Sequence, residues 1–568
     1  MQLTDSRRLT GPSLILDRPG AAAEISVDDH VKDSALARWA THVRTLLDAV
    51  GWPDETLAVR PYQGGATLAI TAPIDSLFAA TEIVEAAWAQ VCAEIAGEVS
   101  PDLNFAIGQL KEDIAQERDP VFRALHAASH SKGVACLFDE ETVTLGLGKT
   151  SQCWPRDALP LPGQFDWADI ADVPAAMVTG TNGKSTTVRI AAAIGAAAGL
   201  TLGFSTSDWV RVGDETIAKG DYSGPEGARL ALRDPRVDLA VIETARGGLL
   251  RRGLPVPRAT ACLITNIAAD HLGEYGIHTV EQLADAKFTV SKAVERSGTL
   301  ILNADDACLK SRGQAFPGDV AWYGLSLSES DVPLTGYAAF VMDDHFAVSH
   351  NGKITLILPV KEFVPALGGA ALYNVSNALG AILLMRILGV NTNAINAGLL
   401  AFESTAEDNP GRGNFIDVGG VNVVVDFAHN PHGLSALTEA LNTLPAKRRL
   451  YMCGQGGDRS DADIYQLTKI IRDAASDAII VRDMPSKLRG RKPGEVPALI
   501  RQYLAEMNYP TDQIFNAETE VEAVAKAFSW AQPGDLLVLL IYENRDKPLG
   551  LIQKLQAENW RPGQAVSV

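Results

Sequence analysis

Four apolar runs in the middle of the chain each stop at a polar cluster, and no other feature constrains the fold as strongly. AAMV at 175–178 leads into TGTNGKST, LAVI at 239–242 into ETARGG, CLIT at 262–265 into NIAADH, and LILN at 300–303 into ADD. Short apolar runs alternating with helical patterns are the signature of parallel strands joined by crossover helices. Ligands of open α/β sheets bind beyond the carboxyl ends of the strands, so the four clusters are expected to converge.

The flanking regions read as separate units. Residues 76–97 carry a long helical pattern and ETVTLGLG at 141–148 a strand, followed by a Pro/Trp-rich passage, WPRDALPLPGQFDW at 154–167, that reads as a linker. Beyond the four runs, AAFVMDD and FAVSH lead through Asn351-Gly352 to ITLILPV, a hairpin pattern, since Asn-Gly supplies the positive φ of a tight turn. A helix follows over 373–388, with Ala378, Ile382, Leu383 and Ile387 on its apolar stripe. ESTAEDNPGRGN at 403–414 is dense in breakers and reads as a second linker. NVVVDFAHN, RRLYMCGQGG, DAIIVRD and DLLVLLIYENRD are further strand-then-polar units, hence another open α/β domain. The expected division is an N-terminal α/β domain over 1–170, a central domain over 171–408 and a C-terminal α/β domain over 409–568.

Composition fits a multidomain enzyme. With 568 residues, 46% of them hydrophobic, the chain is neither collagen nor a disordered tail nor a disulfide-stapled miniprotein. Its net charge of −19 and the lack of a basic run argue against nucleic acid as a partner. The six cysteines are scattered without a CxxC pair, which suits reduced thiols and offers no zinc-ligand spacing. The opening residues lack the apolar stretch of a secretory signal. Apolar segments such as Leu536–Tyr542 are far shorter than the roughly 20 residues that cross a bilayer. A cytoplasmic protein without a membrane partner is expected.

The chemistry centres on Val178–Thr186, VTGTNGKST. It follows a strand and opens an Ala-rich helix, the context a phosphate loop requires. Glycines let backbone amides turn inward, the helix N-terminus adds partial positive charge, and Lys184 can bridge β- and γ-phosphates while Ser185 offers its hydroxyl to magnesium. Thr181, Asn182, Gly183 and Thr186 complete the loop. Val178 stands where the usual GxxxxGK[ST] pattern has its first glycine, but Gly183, Lys184 and Ser185 are kept. ATP or GTP binding follows. Glu243 ends a neighbouring strand, where its carboxylate can reach magnesium directly or through water. Asn266, Asp270 and His271 sit at and beyond a third strand end, where Asp270-His271 reads either as a turn pair or as part of the site.

Taken in order, GTNGKST, ETARGG, TNIAADHLGEYG, LNADD, YNVSNALGAI, GR, DFAHNP and GQGGDR resemble the Mur ligase superfamily over about residues 173–460. KGDYSGPEGARLAL and VIETARGGLLRRGL look most like the Mur-ligase-like module of the cyanophycin synthetases. FRALHAASHSKGVACLFDEETVTLGLG is similar to the end of their N-terminal domain. The ATP-grasp domain between those parts has no room at the 161–172 linker, so its reaction is not carried over and the chain is not expected to make that polymer alone. The resemblance implies a three-domain α/β architecture, with a central P-loop parallel-sheet domain and a C-terminal Rossmann-like domain.

It also implies ATP-dependent amide formation through an acyl phosphate, with ADP and phosphate released. Lys184 would cradle the β/γ-phosphates. Ser185 and Glu243 would hold a first magnesium ion and His271 a second. Asn266 would lie on the nucleotide side, while Arg412 of the GR element and Asp426 of DFAHNP would reach the nucleotide from the junction and the C-terminal domain. Lys287 matches the lysine that many Mur ligases carbamylate; the amine must be neutral to react, so burial or nearby cations must lower its pKa. Without the resemblance, a surface helical lysine would be the default reading.

The substrates are less specified. Arg246, Arg251 and Arg252 either bind carboxylates bidentately or are simply solvated. Asp221 positions an acceptor or caps a turn, Asp458 and Arg459 meet the incoming amine or only shape their loop, and His429 is otherwise a turn histidine. The expected partners are amino acids or short peptides, with a separately encoded ATP-grasp ligase and a homo-oligomer as further options. Two competing classes are a P-loop kinase or NTPase that makes no amide, and a noncatalytic Mur-like subunit.

Overall fold

The structure, a computed structural model, describes residues 1–566. Ala175–Thr179 runs through the middle of an 11-stranded sheet. It lies between Leu239–Glu243 and Ala259–Ile264, with Val294–Asn303 next in line, all parallel. The four apolar runs are therefore four adjacent strands, and their polar clusters share one sheet edge, as the sequence pattern requires. Asp319–Tyr323 and Tyr337–Met342 continue the parallel array; His345–His350 and Lys353–Pro359 close it as an antiparallel meander. Its two tight turns hold Asp343, Asp344, Asn351 and Gly352 at positive φ, so the expected Asn-Gly hairpin is joined by an Asp-Asp one.

Three helices, Lys184–Ala197, Leu372–Ile387 and Thr392–Ala401, pack with this sheet into one core. Ala378, Ile382 and Leu383 are fully buried in it, whereas Ile387 is only partly covered. Burial extends to Asn374, Val375, Asn377 and Leu379, so Leu372–Ile387 is enclosed on most sides and not striped.

The N-terminal sheet is antiparallel, in the order Gln2–Leu9, Gly20–Ser26, Gly65–Thr71, Leu57–Tyr62. Helices Asp29–Ala49 and Leu77–Ala96 cover it around the fully buried Trp39. A three-stranded sheet over 136–155 follows. The Pro/Trp-rich passage is more ordered than a linker: Trp154 and Pro155 belong to the strand Gln152–Pro155, and the rings of Trp154, Phe165 and Trp167 pack in series, tilted to one another, with centroids 5.3 and 4.9 Å apart.

The C-terminal sheet pairs Asn414–Val418 antiparallel with Val421–Asp426. Leu536–Leu540, Arg449–Cys453, Ala478–Arg482 and Ile514–Ala517 follow in parallel. The breaker-rich 403–414 passage is a hydrogen-bonded knot. The amide of Asn414 donates to the carbonyls of Ser404, Thr405 and Asn409 at 2.6–3.1 Å, and Asn409 and Asn414 are fully buried. Asparagine at both positions satisfies a buried, irregular backbone that apolar side chains would leave unpaired. Among the described residues no helix is long and apolar enough to cross a membrane.

Candidate functional site

The phosphate loop leaves its strand at Gly180 and enters the helix at Gly183, both with positive φ. A Cβ on Gly180 would lie 1.9 Å from Thr265 Oγ1, and one on Gly183 2.1 Å from Asn377 Oδ1. Neither position has room for any other residue. The loop between them is held by the neighbouring strand end. Thr181 N donates to Asn266 O at 2.8 Å and Asn182 N to Asn266 Oδ1 at 2.9 Å, while Asn266 Nδ2 and the Thr265 hydroxyl donate to Asn182 O at 3.1 and 2.6 Å. Asn266 is thus the clamp of this loop. Lys184 Nζ bends back to Thr181 O at 3.0 Å, and the Thr186 hydroxyl accepts from Asn409 at 3.4 Å.

Ser185 and Glu243 come together on the strand-end side of the loop. The Ser185 hydroxyl donates to Glu243 Oε2 at 2.6 Å, and Glu243 is 2% exposed with no cationic partner within 4.0 Å among the described residues. A buried carboxylate without a countercharge costs several kcal/mol, so an anionic, hard-oxygen pair here suits a divalent cation such as magnesium. Ser207 extends the pair: its hydroxyl is 3.3 Å from Ser185 Oγ and accepts from Arg412 Nη2 at 2.7 Å.

Behind Ser207, Asp208 gathers three guanidinium groups. It is ion-paired with Arg189 of the loop helix and with Arg545 of the C-terminal domain, and Arg412 lies 3.8 Å away. Burial pushes the Asp208 carboxyl up, but Arg412, Arg189 and Arg545 outweigh it and hold the pKa at about 2. Burial lowers Arg189 to about 10 against the pull of Asp208. Asp426 sits beside Arg412, its carboxylate accepting from Ala428 N at 2.7 Å. Burial raises its pKa against that bond and Arg412. Arg412 and Asp426 therefore share a junction reached through Ser207, separate from the wider cleft described next.

On the other side of the loop, Asp270, His271 and His429 place ligand atoms within 4.8 Å of one another, as do His271, Glu274 and Asp458. Asp270 accepts from Arg459 at 2.7 Å and lies 3.4 Å from His429 Nε2. Its burial is overcome by His429, His271 and Arg459, which hold it well below the usual carboxylate range. Asp270 is thus more than a turn residue, because it links the central sheet to two C-terminal loops. His271, at φ 50, is lowered by burial, with Asp270 opposing. Arg246 donates to His271 O at 2.8 Å and is paired with Glu274.

Lys287 comes from the helix Val280–Phe288 and is 4% exposed, so it is no surface lysine. Its Nζ donates to Gly180 O at 2.8 Å. Burial first, then Lys184, then Arg246 drive its pKa well below that of an ordinary lysine, against Asp270 and Glu243.

One cavity of about 2040 Å³ opens from this centre. Thr181, Lys184, Lys287, His271, Asp221, Arg246 and Asp458 all line it, and the N-terminal sheet supplies a far wall. Asp221 accepts from the Ser223 amide and hydroxyl at 3.1 and 2.6 Å, the turn-capping role, while still facing the cavity. Asp458 pairs with Arg489 at 2.6 Å. Residues not singled out from the sequence include Arg189, Ser207, Asp208, Asn377, Asn409 and Arg545. Asn377 lies inside YNVSNALGAI, where it and Asn374 are buried amides in a largely apolar helix, a signal the sequence does offer.

The Mur ligase middle domain matches residues 178–385, and the Mur ligase glutamate ligase domain matches 411–540. A cyanophycin synthetase of Trichormus variabilis is 32% identical over 385 residues, 67% of this chain and 42% of that protein. The chain thus spans about two-fifths of the length of the cyanophycin synthetases it matches. A UDP-N-acetylmuramoyl-L-alanyl-D-glutamate–2,6-diaminopimelate ligase of Listeria innocua is 26% identical over 384 residues, 64% of this chain and 72% of that protein. Among solved structures, E. coli FolC in complex with DHPP and ADP aligns with a TM-score of 0.48 at 20% identity, covering 68% of this chain and 89% of that one.

Proposed function

The chain belongs to the Mur ligase superfamily, and from that premise we propose that it joins a carboxylate to an amino-acid amine, cleaving ATP to ADP and phosphate. The observation that carries this reading is one continuous cavity running from Thr181 and Lys184 past Lys287 and His271 to Asp221 and Arg246. A simple NTPase needs room for water beside its phosphate loop. This cavity has room for two further reactants.

In this reading the loop amides of 181–186 and Lys184 hold the β- and γ-phosphates. Ser185 and Glu243 would hold a first magnesium ion, and His271, beside Asp270, a second; bound magnesium would neutralise phosphate charge and orient the transferred group. Arg412 and Asp426 meet the nucleoside side. A donor carboxylate oxygen attacks the γ-phosphorus, the bond to the β-bridging oxygen breaks, and ADP leaves. The amine nitrogen then attacks the acyl-phosphate carbonyl carbon, the carbon–oxygen bond to phosphate breaks, and the amine proton passes to solvent. Asp458 lines the approach of the amine, and Arg459 acts through Asp270, which it holds in place. Arg246 acts through Glu274 and the His271 carbonyl, setting the 270–276 loop.

Lys287 enters as its carbamate. Its neutral amine adds to the carbon of carbon dioxide, a C–N bond forms and one proton is lost, which turns a buried, repelled amine into an anion beside Lys184 and Arg246. The donor belongs to the amino acids or short peptides, and a separately encoded ATP-grasp protein is proposed to supply it. The test is a pairwise screen of carboxylates and amines with ATP, read by ADP release and product mass. ADP release that needs both reactants and yields their condensed mass supports the ligase. ADP release indifferent to the amine, with no new mass, would replace it with an NTPase.

A further inference from the structure

The far wall of the cleft is where the N-terminal sheet meets the helix Arg246–Arg252, and the two backbones are stitched there. Thr10 N donates to Arg252 O at 2.8 Å, Leu254 N to Pro12 O at 2.7 Å, and Arg7 Nε to Leu250 O at 2.8 Å. The approach is close enough to require glycine on both sides. A Cβ on Gly11 would sit 2.5 Å from Leu254 O, and one on Gly253, at φ 81, would sit 2.4 Å from Gly11 O. This junction fixes Arg8 next to Arg252.

The arginines at this end are matched differently from the others lining the cavity. Arg156, Arg233, Arg246 and Arg489 each have a close carboxylate partner. Arg251 and Arg252 have none within 4.0 Å among the described residues, while Arg8 reaches Glu140 only at 3.7 Å and Arg229 reaches Asp139 only at 3.9 Å. Beyond the effect of burial, Arg252 lowers Arg8 against Glu140 and Glu117, and Arg233 and, more weakly, Arg252 lower Arg229 against Asp139 and Glu226. Arg8 lies flat on the ring of Phe78, its guanidinium carbon 3.5 Å from the centroid, and Phe78 is 50% exposed on the cavity wall. Stacking uses the face of the guanidinium and leaves its N–H edge free for an anion. Cations held together by backbone hydrogen bonds and lacking close ion pairs form a preorganised anion site.

We propose that Arg8, Arg229, Arg251 and Arg252 form a second anion subsite, spanning the N-terminal and central domains, that holds a carboxylate or phosphate group of the donor remote from its reacting carboxyl. The donor class is therefore a molecule that is at least dianionic. The identification of the bound molecule as the donor rests on the ligase reading; the subsite itself does not.

The test measures equilibrium binding of three short peptides of equal length to the full chain, one rich in aspartate, one carrying phosphoserine and one with asparagine in those positions. The proteins are wild type, Arg8→Gln/Arg252→Gln and Lys184→Ala. The subsite requires that at least one acidic peptide binds wild type and Lys184→Ala alike, that the asparagine peptide binds at least tenfold more weakly, and that Arg8→Gln/Arg252→Gln loses at least tenfold while still binding ATP. The better acidic peptide identifies carboxylate or phosphate as the preferred group. No saturable binding of either acidic peptide, or equal binding by the folded double variant, overturns the proposal. Loss of ATP binding in Arg8→Gln/Arg252→Gln would also overturn it, since the effect would then not be confined to this wall. Failure of the ligase reading shows separately, as binding with no condensed product from any donor–amine pair.

Discussion

Replacing Asp208 by asparagine removes the one carboxylate around which Arg189, Arg412 and Arg545 assemble. Its shape is kept and its charge is lost. A carboxyl whose pKa falls from 3.8 to about 2 on folding contributes about 2 kcal/mol once ionised. Truncating one partner of a buried ion pair costs about 3–5 kcal/mol, but asparagine keeps an acceptor oxygen, so the loss is expected near the lower figure, about 2–3 kcal/mol. At about 2–4 °C per kcal/mol for a domain of this size, the transition reporting the central domain should fall by roughly 5–10 °C at neutral pH. The sign with pH is fixed: a depressed carboxyl stabilises above its unfolded pKa of 3.8 and loses that contribution as pH falls through about 2. The gap between the two proteins should therefore stay level across roughly pH 5 to 8. Thermal unfolding of both across that range is the assay. A loss under about 0.5 kcal/mol, the scale of an exposed ion pair, would refute the reading of Asp208 as a buried hub.

Two further outcomes bear on the chemistry. Lys184→Ala should abolish ATP turnover with unfolding behaviour unchanged; near-normal ligation by that folded variant would contradict the nucleotide assignment. Lys287→Ala should be slow and partly rescued by short carboxylic acids, which replace the carbamate, whereas rescue by short amines in their place would show that the ammonium is the working form.

The site was legible where local chemistry and strand ends coincide. VTGTNGKST announces its loop because glycine, lysine and hydroxyl residues follow an apolar run, and the close contacts at Gly180 and Gly183 show why only glycine fits there. Glu243 and Asn266 could be placed because each ends a strand adjacent to that loop. Asp208 could not, since STSD reads as an ordinary turn and its partners at 189, 412 and 545 are brought together only by domain packing. The same holds for the 403–414 passage, whose breakers look like slack until Asn409 and Asn414 are seen satisfying its backbone. Asp270 stayed open between a turn residue and a site residue because Arg459 and His429, which define it, are far away in the sequence.

The central claim is that one cleft passes the γ-phosphoryl group to a carboxylate before an amine arrives. The direct measurement uses a donor labelled with oxygen-18 in its reacting carboxyl group and follows the label by mass spectrometry after ATP and amine are added. Transfer of one labelled oxygen per turnover into the released phosphate is the expected result. Phosphate whose new oxygen comes only from water, with the label retained by the donor, would contradict it.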